Sequence, residues 1–491
     1  MTFQHSNCSN MQPVATELPT AEPATPDRRT VVRALSRLRS AEGQADPFPV
    51  YAELRALGDV VPAPWGAYFV TRFRTVNHVL RDPAWGALDE EWRAGQGSSS
   101  RWANPAAHEI ARTLTALNPP EHTRQRRSIG NIFDRPTVAA MRPHVRRTAG
   151  QLVDDFLHAA RNDGVADFSE MVSERLPAMA LSEWLGLPKE GSEQVQALTH
   201  RYMYAQELLP TERQTADAGT AAAELREYFE GLVAERRRRP GADLVSSWLR
   251  TWDALALGDR AKADEVVSCL ANFIATASLE TASTLLSTTV WSMLRHPEQL
   301  ALAAADRARV PDAVEEVLRY DPSIHVVSRV AREDTILSGV RIAKGQLVHT
   351  LPACANHDPT MTPDADRFDI SRRGRNVSFG GGFHYCVGAS FARLEAACVL
   401  EALLERRAPL RLDGADAVRW EPRLAFRRML ELRLAWAPDG DGGAARQGPE
   451  STRGSRVEPL PDRCGFGSPV TSQACTSASV SFSPCGPSRT S

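Results

Sequence analysis

Phe379-Gly380-Gly381-Gly382-Phe383-His384-Tyr385-Cys386-Val387-Gly388 is the most informative stretch of the chain. It holds one thiol, an aromatic ring seven residues earlier, glycines four before and two after, and a long helical pattern immediately downstream. A soft sulfur ligand offered from a glycine-rich loop at a helix start suits an axial thiolate on haem iron. A thiolate must stay deprotonated, and backbone N–H groups with the positive end of a helix dipole favour that charge. Glycines let the backbone approach a flat macrocycle with no Cβ in the way. A bulky aromatic such as Phe379 shields the sulfur from water, which tunes the potential. A lone Cys in a glycine loop is more commonly a buried free thiol. Zinc is the weaker metal alternative, because His384 and Cys386 lack a C-x-x-C pair and Cys354 and Cys398 make no zinc spacing.

Bulk properties narrow the class. The 491 residues carry a formal charge of −2, so no global basic field for nucleic acid is implied. Hydrophobic residues are 42% and charged residues 24%, ordinary for a globular protein. Cysteines at 8, 269, 354, 386, 398, 464, 475 and 485 form no dense framework, which favours a reducing cytoplasm. The first 28 residues, rich in Pro, Thr, Ala and Asn, lack an apolar run and a basic start, so neither signal peptide nor membrane anchor is expected. Residues 1–28 and 438–491 read as disordered tails, and Cys464, Cys475 and Cys485 in the second are given no role. Residues 29–437 run without a linker-like break and read as one domain.

That domain reads as mainly α with small β-sheets, an α+β arrangement. Helical apolar spacing marks Pro49–Leu57, Thr137–Ala159, Glu170–Trp184, Ala221–Arg238 and Ala261–Leu294. The last is apolar on nearly every side, hence buried all round. Asn272, Thr276, Ser278, Glu280 and Thr281 interrupt it and argue against a membrane span. Strand-like runs occur at Val60–Val61, Tyr68–Val70, Ser328–Ala331, Leu347–Leu351 and Leu430–Trp436.

The haem-loop residues resemble the signature F-x-x-G-x-x-x-C-x-G of the cytochrome P450 family, with Phe379, Gly382, Cys386 and Gly388 at every fixed position. The resemblance runs from about Phe48 to Trp436 and implies that family's single-domain fold. It implies haem b, with the thiolate of Cys386 as axial ligand. The family's A/G-G-x-D/E-T helix is matched by Ala277-Ser278-Leu279-Glu280-Thr281, with Ser278 in place of the usual Gly. In the family this acid and alcohol help deliver protons to oxygen. Alone, the pair reads equally as a carboxylate facing a polar neighbour and a hydroxyl satisfying a backbone carbonyl. Ser278 either bonds back to the carbonyl of Ile274 or donates to oxygen. Glu316-Val317-Leu318-Arg319 matches the E-x-x-R pair and Arg372 its later arginine, a structural network by the resemblance. Unaided, that pair is a routine contact one helical turn apart. Asn118-Pro119-Pro120-Glu121-His122-Thr123-Arg124-Gln125-Arg126-Arg127 matches the D-P-P-x-H-T-x-x-R-R segment, so His122 and Arg126, with Arg329 and His384, are implied partners of the haem propionates. Each one alone reads as a solvated charge.

The family layout draws the substrate pocket from Trp85–Leu117, Tyr202–Leu209, Ala277, Ser278, Glu280 and Ile324–Val327, including His325 and Val327, closed near Arg427–Leu430. His325 is placed to hydrogen-bond a substrate oxygen. The implied activity is insertion of one oxygen atom from O2 into a small organic substrate, a specialised-metabolite intermediate. Glu280 and Thr281 would relay protons. The chain holds no G-x-G-x-x-G after a strand and no spaced cysteine cluster, so a separate ferredoxin and its reductase are expected. Arg124, Arg127, Arg146 and Arg147 read either as part of a docking face for such an acidic donor or as solvated helix charges. A cytoplasmic bacterial monomer is expected. Rival readings are oxidative coupling, oxidation of a carrier-protein-tethered substrate, and a haem-binding sensor. The last has no need for Glu280-Thr281.

Overall fold

The computed structural model describes residues 27–97, 101–130, 132–414 and 416–437. Most of both expected tails, with Cys464, Cys475 and Cys485, lies outside them. The helices that position the site are α1 (Glu121–Ser128), α2 (Arg135–Asp163), α3 (Lys189–Tyr202), α4 (Glu212–Arg238), α5 (Arg260–Arg295), α6 (Val310–Tyr320) and α7 (Ala389–Arg406). All five sequence-marked helices are present, two with altered limits. Glu170–Trp184 divides into a π-turn at Ser169–Ser173 and a helix at Arg175–Leu185. α4 begins at Glu212, about two and a half turns before its apolar pattern. A reciprocal capping box between Thr211 and Gln214 supplies the start that hydrophobic spacing does not show.

α5 is the spine, packed by α3, α4 and α7, while α7 lies along α2. Its N-cap is Asp259, whose side chain accepts from the Lys262 N–H, and it stops before His296-Pro297. Of the described helices, it alone is long and apolar enough by composition to cross a membrane, yet protein covers most of it. Several of its hydroxyls are satisfied within the helix. Thr276, Ser278, Thr281 and Thr289 each donate to the carbonyl four residues earlier, at 2.7–2.8 Å. Between Ala271 and Met293 only Ala277, Ser278 and Thr281 are appreciably less than fully buried by the surrounding protein.

The sheets lie beside this helical body. β1 (Val60–Pro62), β2 (Tyr68–Val70), β3 (Trp85–Gly86), β5 (Val327–Ala331) and β8 (Leu347–Thr350) form a mixed sheet in the order β1-β2-β8-β5-β3. β2 runs parallel to β8, with Phe69 opposite His349, and β5 runs antiparallel to it, with Arg329 opposite Val348. That register places Arg329 inward at the cavity edge. A hairpin of β6 (Thr335–Leu337) and β7 (Val340–Ile342) stands apart. β4 (Val165–Asp167), β9 (Leu410–Leu412), β10 (Val418–Trp420) and β11 (Met429–Trp436) make the remaining sheet.

Candidate haem-thiolate site

The cysteine loop is built by its own backbone. The Cys386 N–H donates to the Phe379 carbonyl at 2.9 Å, and a short 3-10 turn covers Gly382–His384. Gly380 and Gly382 have φ of 72° and 62°, in the left-handed region. At Gly382 a Cβ would also fall 2.9 Å from the Leu80 carbonyl oxygen, so conformation and space both require glycine. At Gly388 an added Cβ meets nothing within 4 Å. Protein packing therefore does not require that glycine, which faces open cavity. Burial pushes the Cys386 thiol pKa up. The N–H groups of Gly388 and Ala389 at the start of α7, with Arg126 and Arg393, act the other way and favour the thiolate. The Arg393 guanidinium lies 4.5 Å from the centroid of Phe379, fixing the ring of the signature.

Cys386, Phe379 and Gly388 face a cavity of about 350 Å³. Its wall also carries His122, Arg126, Arg329 and His384. These four were expected as propionate partners, and the fold brings them together. Both ring nitrogens of His122 and Nε2 of His384 are buried without a hydrogen-bond partner. The two rings meet edge-on, with centroids 4.6 Å apart. Burial, then Arg126 and Arg329, push the His122 pKa down to about 4. Among the described residues Arg329 donates to the carbonyl of Ser328 alone, and burial pushes its pKa down to about 10. Arginine and donor-rich histidines crowd one wall, and none of them is ion-paired with a carboxylate among the described residues. Such a donor set fits a bound group carrying carboxylates, as the haem propionates are. The thiol, the open space at Gly388 and this cationic wall therefore suit haem.

The remaining lining is mostly apolar. α5 contributes Ala277, Ser278 and Thr281, the three positions it leaves uncovered. Leu88, Trp102, Met203, Ile324, Val326 and Val327 also face the space. The Ser278 hydroxyl is committed to the Ile274 carbonyl at 2.7 Å, and that of Thr281 to Ala277 at 2.8 Å.

Three sequence expectations change here. His325 does not face the cavity. Its Nδ1 meets the Tyr51 hydroxyl at 2.9 Å and its Nε2 lies 3.5 Å from Asp321, which Arg427 also holds. A buried charge pair outcompetes the cavity for this ring. Arg427–Leu430 do not close the pocket; Ala425 and Phe426 do, with Ile324 bridged to Phe426. Glu280, one residue before Thr281, points away from the cavity. It is 1% exposed, ion-paired with Arg423, and 3.1 Å from Nδ1 of His200. Burial raises its pKa, but Arg423 and His200 more than offset that and hold the carboxyl below its ordinary range.

Several residues at the site carried no sequence signal. Arg423 and His200 lie 143 and 80 residues from Glu280. Glu395 of α7 lines the cavity with Oε1 unpartnered, and burial pushes its pKa up to about 8. An acid on the apolar stripe of that helix is the signal that could have found it. The expected structural network is assembled: Arg319 bonds Glu316, and Nε of Arg372 lies 3.6 Å from the same carboxylate. On the surface, Arg146 is paired with Glu405, and Arg124 donates to the Leu255 carbonyl.

Known proteins agree with this geometry. The cytochrome P450 family model matches residues 93–407. The chain is 33% identical over 406 residues to the cytochrome P450 monooxygenase PikC of Streptomyces venezuelae, spanning 81% of this chain and 93% of that one. It is 32% identical over 413 residues to the 6-deoxyerythronolide B hydroxylase of Saccharopolyspora erythraea, spanning 81% and 98%. The crystal structure of P450BioI in complex with hexadec-9Z-enoic acid ligated acyl carrier protein superposes with a TM-score of 0.73 at 28% identity, covering 81% of this chain and all of that one. Loop, cavity and relatives converge: the chain belongs to the cytochrome P450 family of haem-thiolate monooxygenases.

Proposed function

We propose that the protein inserts one oxygen atom from O2 into a small, largely apolar specialised-metabolite intermediate, by hydroxylation or epoxidation. The observation that carries this reading is one mainly apolar cavity bounded by both Cys386 and Thr281. Bound haem supplies the activation of dioxygen. Cys386 would hold its iron, and Phe379 with Arg393 keeps water from the sulfur. His122, Arg126, Arg329 and His384 would hold the two propionates. Leu88, Met203, Val326, Val327 and Phe426 exclude water and orient an apolar substrate. Thr281 lines the cavity, and Glu280 behind it, an ionised carboxylate, takes up a proton and passes it on. Glu316, Arg319 and Arg372 keep the core beneath the site in register.

Residues 29–437 are read as the haem domain of a cytoplasmic monomer supplied with electrons by a ferredoxin and its reductase. Family membership and relatives such as the PikC monooxygenase and the 6-deoxyerythronolide B hydroxylase support the activity and the substrate class. A second reading, oxidation of a substrate tethered to a carrier protein, is favoured by the likeness to the carrier-bound P450BioI structure. A screen for substrate-induced shifts of the Soret band, with free and carrier-tethered candidates, separates the two. Turnover with ferredoxin, reductase and ¹⁸O₂ should then label the product with one oxygen. A product formed without label would overturn the monooxygenase reading.

A further inference from the structure

Glu280 has two side-chain partners among the described residues, and they are chemically unlike. Arg423 is 1% exposed and is a permanent cation that cannot trade protons. His200, at the end of α3, is 17% exposed. Its Nδ1 lies 3.1 Å from Oε2 of Glu280, and its Nε2 lies 3.0 Å from Oε2 of Glu174. Exposure falls from 18% at Glu174 and 17% at His200 to 1% at Glu280. The next residue, Thr281, opens on the cavity. Imidazole is the one side chain at this junction that can accept a proton on one nitrogen and release one from the other near neutrality.

We propose that His200 is the proton entrance to the oxygen site, passing protons from solvent and Glu174 to Glu280. This rests on the reading of Glu280 and Thr281 as the proton-delivering pair. His200 touches neither haem nor substrate, so it is a positioning residue acting through Glu280. In the transfer, the protonated ring releases its Nδ1 proton to Oε2 of Glu280 and is left neutral with its proton on Nε2. A flip about Cβ–Cγ returns that proton to the inner side, and solvent reprotonates the outer nitrogen.

The surroundings permit a charged ring. Glu174 and Glu280 face it directly. Arg428 approaches Glu174 at 3.4 Å and Arg423 donates to the His200 carbonyl at 3.0 Å. Glu421 ties both arginines. The carboxylates Glu174, Glu280 and Glu421 thus balance Arg423, Arg428 and a protonated His200. Burial lowers the His200 pKa, but Glu174 and Glu280 more than offset this, so it lies above the ordinary value.

The test uses the full-length holoprotein and needs no substrate. Dithionite-reduced protein is mixed with air-saturated buffer, and the return of the ferric Soret spectrum is followed against pH in H₂O and D₂O. Wild type should slow as pH rises through the His200 titration and show a solvent isotope effect. His200→Gln keeps a donor for one of the two carboxylates but cannot carry a proton. It should be slower by on the order of a hundredfold, the low end for a positioned proton-transfer group, and should lose the pH inflection. Glu280→Gln should match it. If His200→Gln behaves as wild type while Glu280→Gln is slow, the His200 entrance is overturned and the relay pair survives. If neither variant is slow, the pair itself fails and the entrance with it. A second measurement does not depend on the variant folding. In the ferrous carbon-monoxide form, the ¹³Cε1 resonance of His200 should titrate above 6.5, the ordinary histidine value, and a neutral ring at pH 6 overturns the proposal.

Discussion

Arg319 grips Glu316 at two points, Nε to Oε2 and Nη2 to Oε1, both at 2.8 Å. The two side chains are 3% and 2% exposed, and the remaining guanidinium hydrogens reach the carbonyls of Asn356, Ala365 and Arg367. The Asp369 N–H donates to the same carboxylate at 2.9 Å. One ion pair therefore ties α6 to the segment leading into the cysteine loop. Removing one partner leaves an uncompensated buried charge. Arg319→Ala should lose about 3–5 kcal/mol of stability, measured by denaturant unfolding of the holoprotein. A loss below about 1 kcal/mol would show that the segment is held by other contacts.

The cationic wall makes a separate prediction. Arg329 has no carboxylate partner among the described residues, which leaves its charge to answer a propionate. Arg329→Leu should weaken haem retention by about 1.5–3 kcal/mol, the worth of a hydrogen bond to a charged group. That is roughly tenfold or more in the rate of haem transfer to an excess of acceptor apoprotein. Arg329→Lys should recover part of it, because charge survives but fork geometry does not. Equal retention in all three proteins would remove Arg329 from the propionate set.

Cys386→Ala should abolish the strongly red-shifted Soret band of the reduced, carbon-monoxide-treated protein. Folding should be largely retained, since the loop is fixed by the Cys386 N–H to Phe379 carbonyl bond, not by the thiol. Persistence of that band in the variant would assign the sulfur ligand elsewhere.

Glu395 predicts a pH effect with a definite sign. Burial raises its pKa from 4.5 to about 8, so between these values the folded chain binds more protons at this site than the unfolded chain. Stability should therefore fall with rising pH across that window, by about 1.4 kcal/mol per unit, and level off above it. Glu395→Gln should remove this slope. Thermal melting of both proteins from pH 5 to pH 8 should show an advantage of the variant that grows with pH. A constant difference would mean that the carboxyl finds a partner.

The sequence was most legible where chemistry is local. The cysteine loop could be read because its hydrogen bond and left-handed glycines lie within ten residues of one another. α5 was legible because burial on every side leaves an apolar run with few interruptions. Three of those interruptions proved informative in space: Thr276 and Thr281 bond back to their own helix, and Glu280 faces a charge network. What could not be read were directions chosen by distant partners. His325 follows Tyr51, 274 residues away, and Glu280 follows Arg423. The early start of α4 was hidden because a capping box, not hydrophobicity, begins it. Spacing places a side chain on an element; only the assembled neighbours decide which way it turns.

The near-complete covering of α5 has a further consequence. A helix with almost no face for water cannot shelter its apolar surface until its neighbours exist, and α7 and β11 lie well downstream in the chain. During synthesis this segment leaves the ribosome before they do. The nascent chain passes through a stage with this apolar helix exposed, the kind of surface that aggregates and that chaperones cover.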